Sequence, residues 1–191
     1  MQMKVTLAIM TRCMALLLVL VLGNACALLP SDNYRDALEH YENKEYSGAL
    51  PVLQRLAKRG DARAMVLLAQ MYQFGEGVLP APKTAYDLLT KAANQGNAQA
   101  QYLIGGYYLG GKGFEIDFAK AFEWNMKAAS QGHMLAQMTV GQAFLNGIGV
   151  TKDICAAREW LEKSALQGNV TAKNLLVEAT DVICLDSRLK K

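Results

Sequence analysis

The chain has 191 residues, of which 52% are hydrophobic and 19% are charged, and its formal net charge is +3. This length leaves room for one compact unit and little more. Residues 1–27 hold two of the 20 basic residues and none of the 17 acidic ones, so the rest of the chain is close to neutral. A near-neutral chain lacks the basic surface of a nucleic-acid-binding protein, and no nucleic-acid partner is predicted.

Residues 1–27 are predicted to be a secretory signal peptide. Lys4 and Arg12 give the segment a basic start. The apolar run at residues 13–22 follows, and it is too short to span a bilayer comfortably.

The sequence leaves two processing sites open. Ala25-Cys26-Ala27 matches an A-x-A site, which fits cleavage after Ala27. Cys26 also fits the lipid-accepting cysteine of a bacterial lipoprotein, whose leader would be residues 1–25. Both sites predict an extracytoplasmic protein, either soluble in the periplasm or anchored to the outer membrane through a lipid on Cys26.

Residues 61–168 repeat one pattern with a period of 36 residues, as a first (61–96), a second (97–132) and a third (133–168) repeat. A fixed period of this length is typical of a solenoid built from one supersecondary unit. Apolar residues within each unit follow helical spacing. The predicted fold class is therefore all-α, an α-solenoid of antiparallel helix pairs. The residues that keep the register include Gly60, Gly96, Gly132 and Gly168, and Ala64, Ala100, Ala136 and Ala172.

Shorter segments flank the three repeats. Residues 28–33 are predicted to be a linker, and residues 34–60 a degenerate N-terminal helix pair. Residues 169–184 are predicted to form a closing helix, followed by a tail at 185–191. Terminal units of repeat arrays are commonly atypical because one side faces water.

Glycine pairs mark the loop between the two helices of each repeat. Glycines that recur at helix ends most often adopt left-handed backbone angles, which cost other residues about 1 kcal/mol or more. These structural-turn glycines are Gly75, Gly77, Gly111, Gly113, Gly147 and Gly149.

Polar residues at helix starts are predicted to be N-caps. Those of the first helices and the closing helix are Asp61, Asn97, His133 and Asn169. Those of the second helices are Asp117 and Asp153, while Pro82 partly substitutes for the cap that Ala81 lacks.

Two further registers concern helix packing. Small residues allow the paired helix to approach closely at Ala69, Gly105 and Gly141. One position of the second helix is predicted to face the neighbouring helices, and it holds Leu88, Trp124 and Trp160.

The second repeat combines an aromatic residue, a Gly-x-Gly loop, an Asp, Lys-Ala, Trp, Lys-Ala-Ala and Gln-Gly. These are Tyr108, Gly111, Gly113, Asp117, Lys120, Ala121, Trp124, Lys127, Ala128, Ala129, Gln131 and Gly132. The pattern resembles the Sel-1-like repeat (SLR), a relative of the tetratricopeptide repeat, although the first repeat departs from it at Ala81 and Leu88. The resemblance implies a right-handed superhelix of helix pairs that serves mainly as an adaptor in assembling complexes. It implies no particular ligand and no cofactor.

No catalytic, metal or cofactor site is predicted. His133 occupies a capping position held elsewhere by Asp or Asn, and the Gly-x-Gly loops follow no strand, so they are turns rather than a nucleotide fingerprint. The carboxylates of the second helices have lysine four residues on, as in Glu123 and Lys127. Cys155 and Cys184 would need further ligands to hold a metal ion. The chain is therefore predicted to be non-enzymatic.

Cys155 and Cys184 are predicted to form a disulfide. They lie about equally far from the turn at Gly168 and Asn169. Antiparallel helices bring such positions side by side, and an even number of cysteines suits an oxidising compartment.

By resemblance, the first helix of each pair lines the concave side of the superhelix. Positions on it that vary between repeats are predicted to bind a ligand: Val66, Gln70, Gln73, Tyr102, Leu109, Met138, Gln142 and Leu145. Tyr, Met and Gln on a concave surface suit a peptide or protein ligand. The alternative is that Tyr102, Leu109 and Leu145 simply pack between neighbouring repeats.

The predicted function is that of an exported scaffold that binds a protein or peptide segment of the bacterial envelope and helps to assemble complexes there. The alternative is a cell-wall-directed enzyme or binder, with a penicillin-type ligand or a peptidoglycan fragment. It follows from the resemblance, since some cysteine-rich relatives are associated with penicillin-type ligands. Those relatives carry a disulfide in each repeat, whereas this chain keeps one cysteine pair beyond its leader, and this difference weakens the analogy.

Overall fold

A computed structural model describes residues 33–110 and 115–178, and these residues form nine helices and no strand. The helices are α1 (Tyr34–Glu42), α2 (Tyr46–Lys58), α3 (Ala62–Phe74), α4 (Pro82–Asn94), α5 (Ala98–Gly110), α6 (Phe118–Ser130), α7 (Met134–Asn146), α8 (Ile154–Leu166) and α9 (Val170–Glu178). The chain divides into two units, Met1–Val52 and Leu53–Lys191, with the boundary inside α2. The predicted all-α class is confirmed.

The first unit holds α1 and the start of α2. Asn33 caps α1, because its Oδ1 accepts a hydrogen bond from the N–H of Asp36 at 3.0 Å. Lys44 adopts a left-handed φ of 62° in the tight turn between the helices. His40 is exposed, and its Nδ1 lies 2.7 Å from Oε2 of Glu45 across this turn.

In the second unit, the period of the sequence becomes a period of helices. α3, α5 and α7 begin at positions 62, 98 and 134, whereas α4, α6 and α8 begin at 82, 118 and 154. Each first helix packs against the second helix of its own pair, and α4, α6 and α8 each pack against the helix that follows them. The predicted solenoid of helix pairs is confirmed.

Side-chain caps begin the helices of this unit where the sequence predicts them. The first N–H groups of a helix have no partner within it, so an acceptor at the N-cap stabilises the helix by about 1 kcal/mol. Asp61, Asn97, His133 and Asn169 each accept a bond from the N–H three residues later, at 2.9 to 3.2 Å. Asp117 and Asp153 cap α6 and α8. Ala81 provides no side-chain cap, and Pro82 takes the first position of α4.

The loop glycines have left-handed backbone angles wherever the structure describes them. Their φ lies between 70° and 74° at Gly75, Gly77, Gly147 and Gly149. Gly111 and Gly113 lie outside the described residues. Gly149 has a second constraint, since a Cβ there would collide with the carbonyl oxygen of Phe118. The loop of the third repeat therefore rests on the start of α6, closer than a residue with a side chain allows.

Glycines also bring the two helices of a pair together in the second and third repeats. A Cβ on Gly105 would lie 2.8 Å from Cγ of Asn125, and one on Gly141 would lie 2.6 Å from Cγ of Leu161. Both distances are too short for a real contact between such atoms. The packing of α5 on α6 and of α7 on α8 therefore depends on the missing Cβ, as the small residues predict.

The most deeply buried register of the second helices lies one residue after the register predicted to face the neighbouring helices. Leu88, Trp124 and Trp160 are only partly buried. The residues that follow them, Leu89, Asn125 and Leu161, are 1%, 2% and 0% exposed. Trp160 packs against the core cluster that includes Ala129 and Val140, so it faces the neighbouring helices as predicted, at the edge of the core.

Lysines explain this position of the tryptophan rings. Nζ of Lys127 lies 4.0 Å from the ring centroid of Trp124, and Nζ of Lys163 lies 4.0 Å from that of Trp160. A charged amine keeps part of its hydration while it is attracted to the ring face. Each ring therefore has one face at the protein surface.

Glutamine side chains connect successive repeats. Nε2 of Gln131 donates to Oε1 of Gln101 at 2.7 Å, and Nε2 of Gln101 donates to the carbonyl of Ala93 at 3.1 Å. The same connection recurs 36 residues later, from Gln167 through Gln137 to the carbonyl of Ala129. Gln101 and Gln137 are each 5% exposed, so these bonds satisfy polar groups that would be costly to bury alone.

α9 is the described part of the predicted closing helix. The rest of that helix, the tail, residues 28–32 of the predicted linker and the leader with Cys26 lie outside the described residues. Cys155 takes part in a disulfide bond. Because every other cysteine lies outside the described residues, its pairing with Cys184 stays a prediction. None of the helices in the described part of the chain has the length and apolar character of a membrane span.

Candidate binding groove

A cavity of about 270 Å³ opens on the first helices of the three repeats. Most of its lining residues come from the first helices α3, α5 and α7, and the second helices α4 and α6 contribute one residue each. Apolar and aromatic side chains predominate in it. The lining residues are Gln70, Gln73, Phe74, Leu89, Tyr102, Leu103, Gly106, Tyr107, Leu109, Asn125 and Thr139.

One wall of the cavity is fixed by Tyr107. Its hydroxyl donates to Oε1 of Gln73 at 3.0 Å, which joins α5 to α3. Its ring meets that of Tyr86 edge-on, with the centroids 5.3 Å apart. Burial raises the pKa of Tyr107, so its hydroxyl keeps its proton and remains a donor.

A second wall is formed by Tyr102, which stacks on the imidazole of His133 with a centroid distance of 4.9 Å. Nδ1 of His133 accepts the N–H of Ala136 at 3.2 Å, and Nε2 lies 2.7 Å from Oε1 of Gln99. This pattern requires the neutral tautomer with its proton on Nε2. Burial lowers the pKa of His133, which favours the same neutral form.

The floor of the cavity contains Asn125, which is 2% exposed. Its Nδ2 donates to the carbonyl of Ala121 at 2.8 Å. Its Oδ1 has no hydrogen-bond partner among the described residues. At the rim lies Gly106, where an added Cβ would meet no atom within 4 Å.

The structure brings together half of the residues predicted to bind a ligand. Gln70, Gln73, Tyr102 and Leu109 line the cavity. Val66 is 8% exposed and belongs to the core. Met138 and Leu145 are half-buried and Gln142 is exposed, and none of the three is among the lining residues.

The alternative of packing between repeats also holds for one of these residues. Tyr102 packs against the core cluster that includes Ala129, Ala136 and Val140 while it lines the cavity. Sequence reasoning missed Asn125 altogether. The signal was present, because Asn125 is polar at a register where the other repeats have Leu89 and Leu161.

The groove combines an apolar surface with a few uncharged polar groups. Its described lining residues carry no charge. In the described part of the chain no three His, Cys, Asp or Glu side chains gather as metal ligands. The chemistry on offer is an apolar surface with a few hydrogen-bonding groups, which suits the recognition of a side chain.

Comparison with known proteins identifies the repeats. The Sel1 repeat model matches residues 62–97, 98–133 and 135–169, which correspond to the pairs α3–α4, α5–α6 and α7–α8. No protein of curated function matches significantly.

Solved structures give the same result. A Sel1 repeat protein from Oxalobacter formigenes is 37% identical with a TM-score of 0.65, and the match covers 68% of this chain and 97% of that chain. A protective antigen of uropathogenic Escherichia coli with an SLR fold is 39% identical with a TM-score of 0.65, over 68% of this chain and 28% of that one. Cysteine rich protein B of Helicobacter pylori, 21% identical with a TM-score of 0.51 over 64% and 93%, shows the fold alone.

The family model accounts for more than half of the chain, and its segments follow the helix pairs that build the groove. The resemblance inferred from the glycine loops and the tryptophan register is thus confirmed. This chain belongs to the Sel1 repeat family.

Proposed function

We propose that the protein is a non-enzymatic scaffold that binds a segment of a partner protein in the groove on α3, α5 and α7. Sel1 repeat proteins are generally protein-interaction scaffolds, which supports this class of function. The cavity itself carries the proposal for the site. It has aromatic walls and uncharged described lining residues, a composition that matches the core of a protein interface.

The size of the cavity supports a side chain as its occupant. Its volume of about 270 Å³ lies below the range of roughly 300–1,000 Å³ of most small-molecule sites. The first helices of three successive repeats border it, so a bound segment can extend along them while one residue enters the cavity. Few residues of such a segment would then supply most of the binding energy.

Gly106 offers a test that leaves the fold standing. Gly106→Leu adds a side chain at the rim, where even the Cβ meets no atom within 4 Å, and removes a helix-weakening glycine. Partner capture from intact envelopes, measured by crosslinking and pull-down, should fall at least tenfold, about 1.4 kcal/mol. The control is Gln142→Leu at the same register of the next repeat, which is exposed and outside the cavity lining, and capture should not change. Equal capture by both variants would move the binding surface elsewhere.

We propose further that the protein works outside the cytoplasm, in envelope complexes. The basic, apolar leader supports export, and the disulfide at Cys155 fits an oxidising compartment. Mass spectrometry of the mature N-terminus separates the two forms. A lipid on Cys26 that Cys26→Ser abolishes supports membrane attachment, whereas a first residue of Leu28 supports a soluble periplasmic protein.

The hypothesis of a cell-wall-directed enzyme or binder stays a prediction with its own test. Purified protein is incubated with a labelled penicillin analogue, with and without Gly106→Leu. Labelling that the substitution removes would assign the groove to such a ligand in place of a protein segment.

A further inference from the structure

The second repeat places a polar side chain where the other repeats bury leucine. Asn125 is 2% exposed, at the register of Leu89 and Leu161. Its Nδ2 bonds to the carbonyl of Ala121, and this bond fixes which end of the amide is the acceptor. Oδ1 is buried without a hydrogen-bond partner among the described residues. An unpaired buried acceptor is costly, because it has lost water and gained nothing in exchange.

The same side chain forms part of the floor of the groove. A ligand that enters the cavity therefore comes next to an acceptor that lacks a donor. The described lining residues are uncharged, so a lysine or arginine would lose its hydration there without gaining a counter-charge. The matching ligand group is a neutral donor on an apolar body.

A single water molecule is the competing partner. Asn125 also borders a small neighbouring cavity of about 20 Å³, which is large enough for one water. A buried water needs two to four polar partners. Of the side chains that line this small cavity, only Asn125 and Thr139 are polar, and the Thr139 hydroxyl donates to the carbonyl of Leu135, so its oxygen is left only as an acceptor. A water here would have two side-chain acceptors, the minimum of this range, so a ligand donor can compete with it for Oδ1.

Resting on the function proposed above, we infer that the groove selects a partner segment carrying a tryptophan, whose indole N–H donates to Oδ1 of Asn125. The indole nitrogen is a donor and never an acceptor, which matches an acceptor-only partner. The ring brings a large apolar area to the surface formed by Tyr102, Leu103 and Tyr107. Tryptophan is also the side chain most enriched among dominant interface residues, together with tyrosine and arginine.

Two small probes test this inference without knowledge of the partner. The first is N-acetyltryptophanamide, and the second is its benzothienylalanine analogue, in which sulfur replaces the N–H in a ring of nearly the same shape. Titrations followed by NMR on wild-type protein should show at least tenfold tighter binding of the first probe, about 1.4 kcal/mol.

Two variants assign the preference to one atom. Asn125→Leu should abolish it, and leucine fits opposite Gly105 as Leu161 fits opposite Gly141. Gln70→Met alters another polar lining residue, so the affinity for both probes can change, but their ratio should stay at tenfold or more.

Equal binding of the two probes to the wild type, or binding of neither, overturns the inference. A preference that survives in Asn125→Leu overturns it as well. The comparison of the probes on wild-type protein decides even if Asn125→Leu fails to fold. A clear probe preference together with undiminished partner capture by Gly106→Leu would instead remove the proposed function and leave the tryptophan site standing.

Discussion

The second and third repeats share one backbone plan and use it for different ends. In each, a glycine of the first helix makes room for a side chain of the second, Gly105 for Asn125 and Gly141 for Leu161. In the third repeat that side chain is leucine and completes the core. In the second it is an amide at the floor of a cavity. The repeat geometry thus determines where the interior has room for a side chain of the second helix. The type of that residue then determines whether the position belongs to the core or to the cavity.

The exposed faces of the first helices, α5 and α7, also differ between the two repeats. Gly106 leaves open space on α5, whereas the equivalent position on α7 carries the side chain of Gln142. At another equivalent position, α5 carries Tyr102, which stacks on His133, whereas α7 carries the flexible side chain of Met138. The second repeat thus differs from the third by a glycine on the exposed face, Gly106, and by an asparagine in the interior, Asn125. Both residues line the cavity.

The close approach of the Gly149 loop to Phe118, one contact between these two repeats, should be the most sensitive point. Gly149→Val should lower the free energy of unfolding by about 3–5 kcal/mol, because valine strains a left-handed backbone and collides with the carbonyl of Phe118. Urea denaturation measures the loss.

A neighbouring glycine separates the two causes. Gly147 has a similar φ of 72°, but its Cβ would meet its nearest atom at 3.5 Å, an ordinary contact. Gly147→Ala should therefore cost about 1 kcal/mol, from the backbone alone. Equal losses for the two variants would contradict the close contact between the repeats.

Exchanging the paired side chains tests the comparison directly. Leu161→Asn should destabilise the protein by about 3 kcal/mol, since it removes buried apolar atoms and buries an amide oxygen that lacks a donor. Asn125→Leu should change stability little, or raise it by about 1 kcal/mol, because an unpaired acceptor disappears. Thermal and urea unfolding of both variants give the answer. Similar destabilisation by the two changes would mean that the amide contributes to the core as much as leucine does.

The smallest expected effect concerns the N-caps of α5 and α7, which are Asn97 and His133. Burial lowers the pKa of His133, so the folded state holds fewer protons than the unfolded state below about pH 6.5. The contribution of His133 to the free energy of unfolding is fully present above about pH 6.5 and is lost as the pH falls towards the lowered pKa. The loss should be about 1 kcal/mol, since a proton on Nδ1 displaces the capping bond to Ala136.

His133→Asn copies the cap of the second repeat, which does not titrate. Urea unfolding at pH 7.5 and pH 5 should show this part of the pH dependence in the wild type only. An identical pH dependence in the variant would exclude His133 as its source.

The sequence was sufficient for the parts that repeat. Glycines at left-handed positions, caps such as Asp61 and Asn97, and the small residues Gly105 and Gly141 each reflect a local requirement that recurs in every copy. Periodicity therefore locates the helices and their close contacts without any knowledge of tertiary structure.

The groove could be predicted only in part, because it depends on how the repeats differ. The predicted stripe of variable residues on the first helices included Tyr102 and Leu109, which line the cavity, but also Val66, which the core encloses. The register of Trp124 and Trp160 is only partly buried, and the fully buried register one residue later was not predicted. Asn125 was not predicted. Its polar character is notable only when the three repeats are compared, and the cavity beside it is seen only in the structure.

The glutamine connections bear on how the molecule comes apart. Each one ties a repeat only to its immediate neighbour, as Gln101 does with the carbonyl of Ala93. In arrays coupled in this way, stability is nearly a sum of repeat terms and nearest-neighbour terms, and unfolding proceeds from the less coupled ends. At the register of Gln101, the first repeat has Met65 and α9 has Lys173, so the series stops at both ends. The second repeat is connected on both sides, and the cavity is therefore expected to outlast the fraying of the terminal helices.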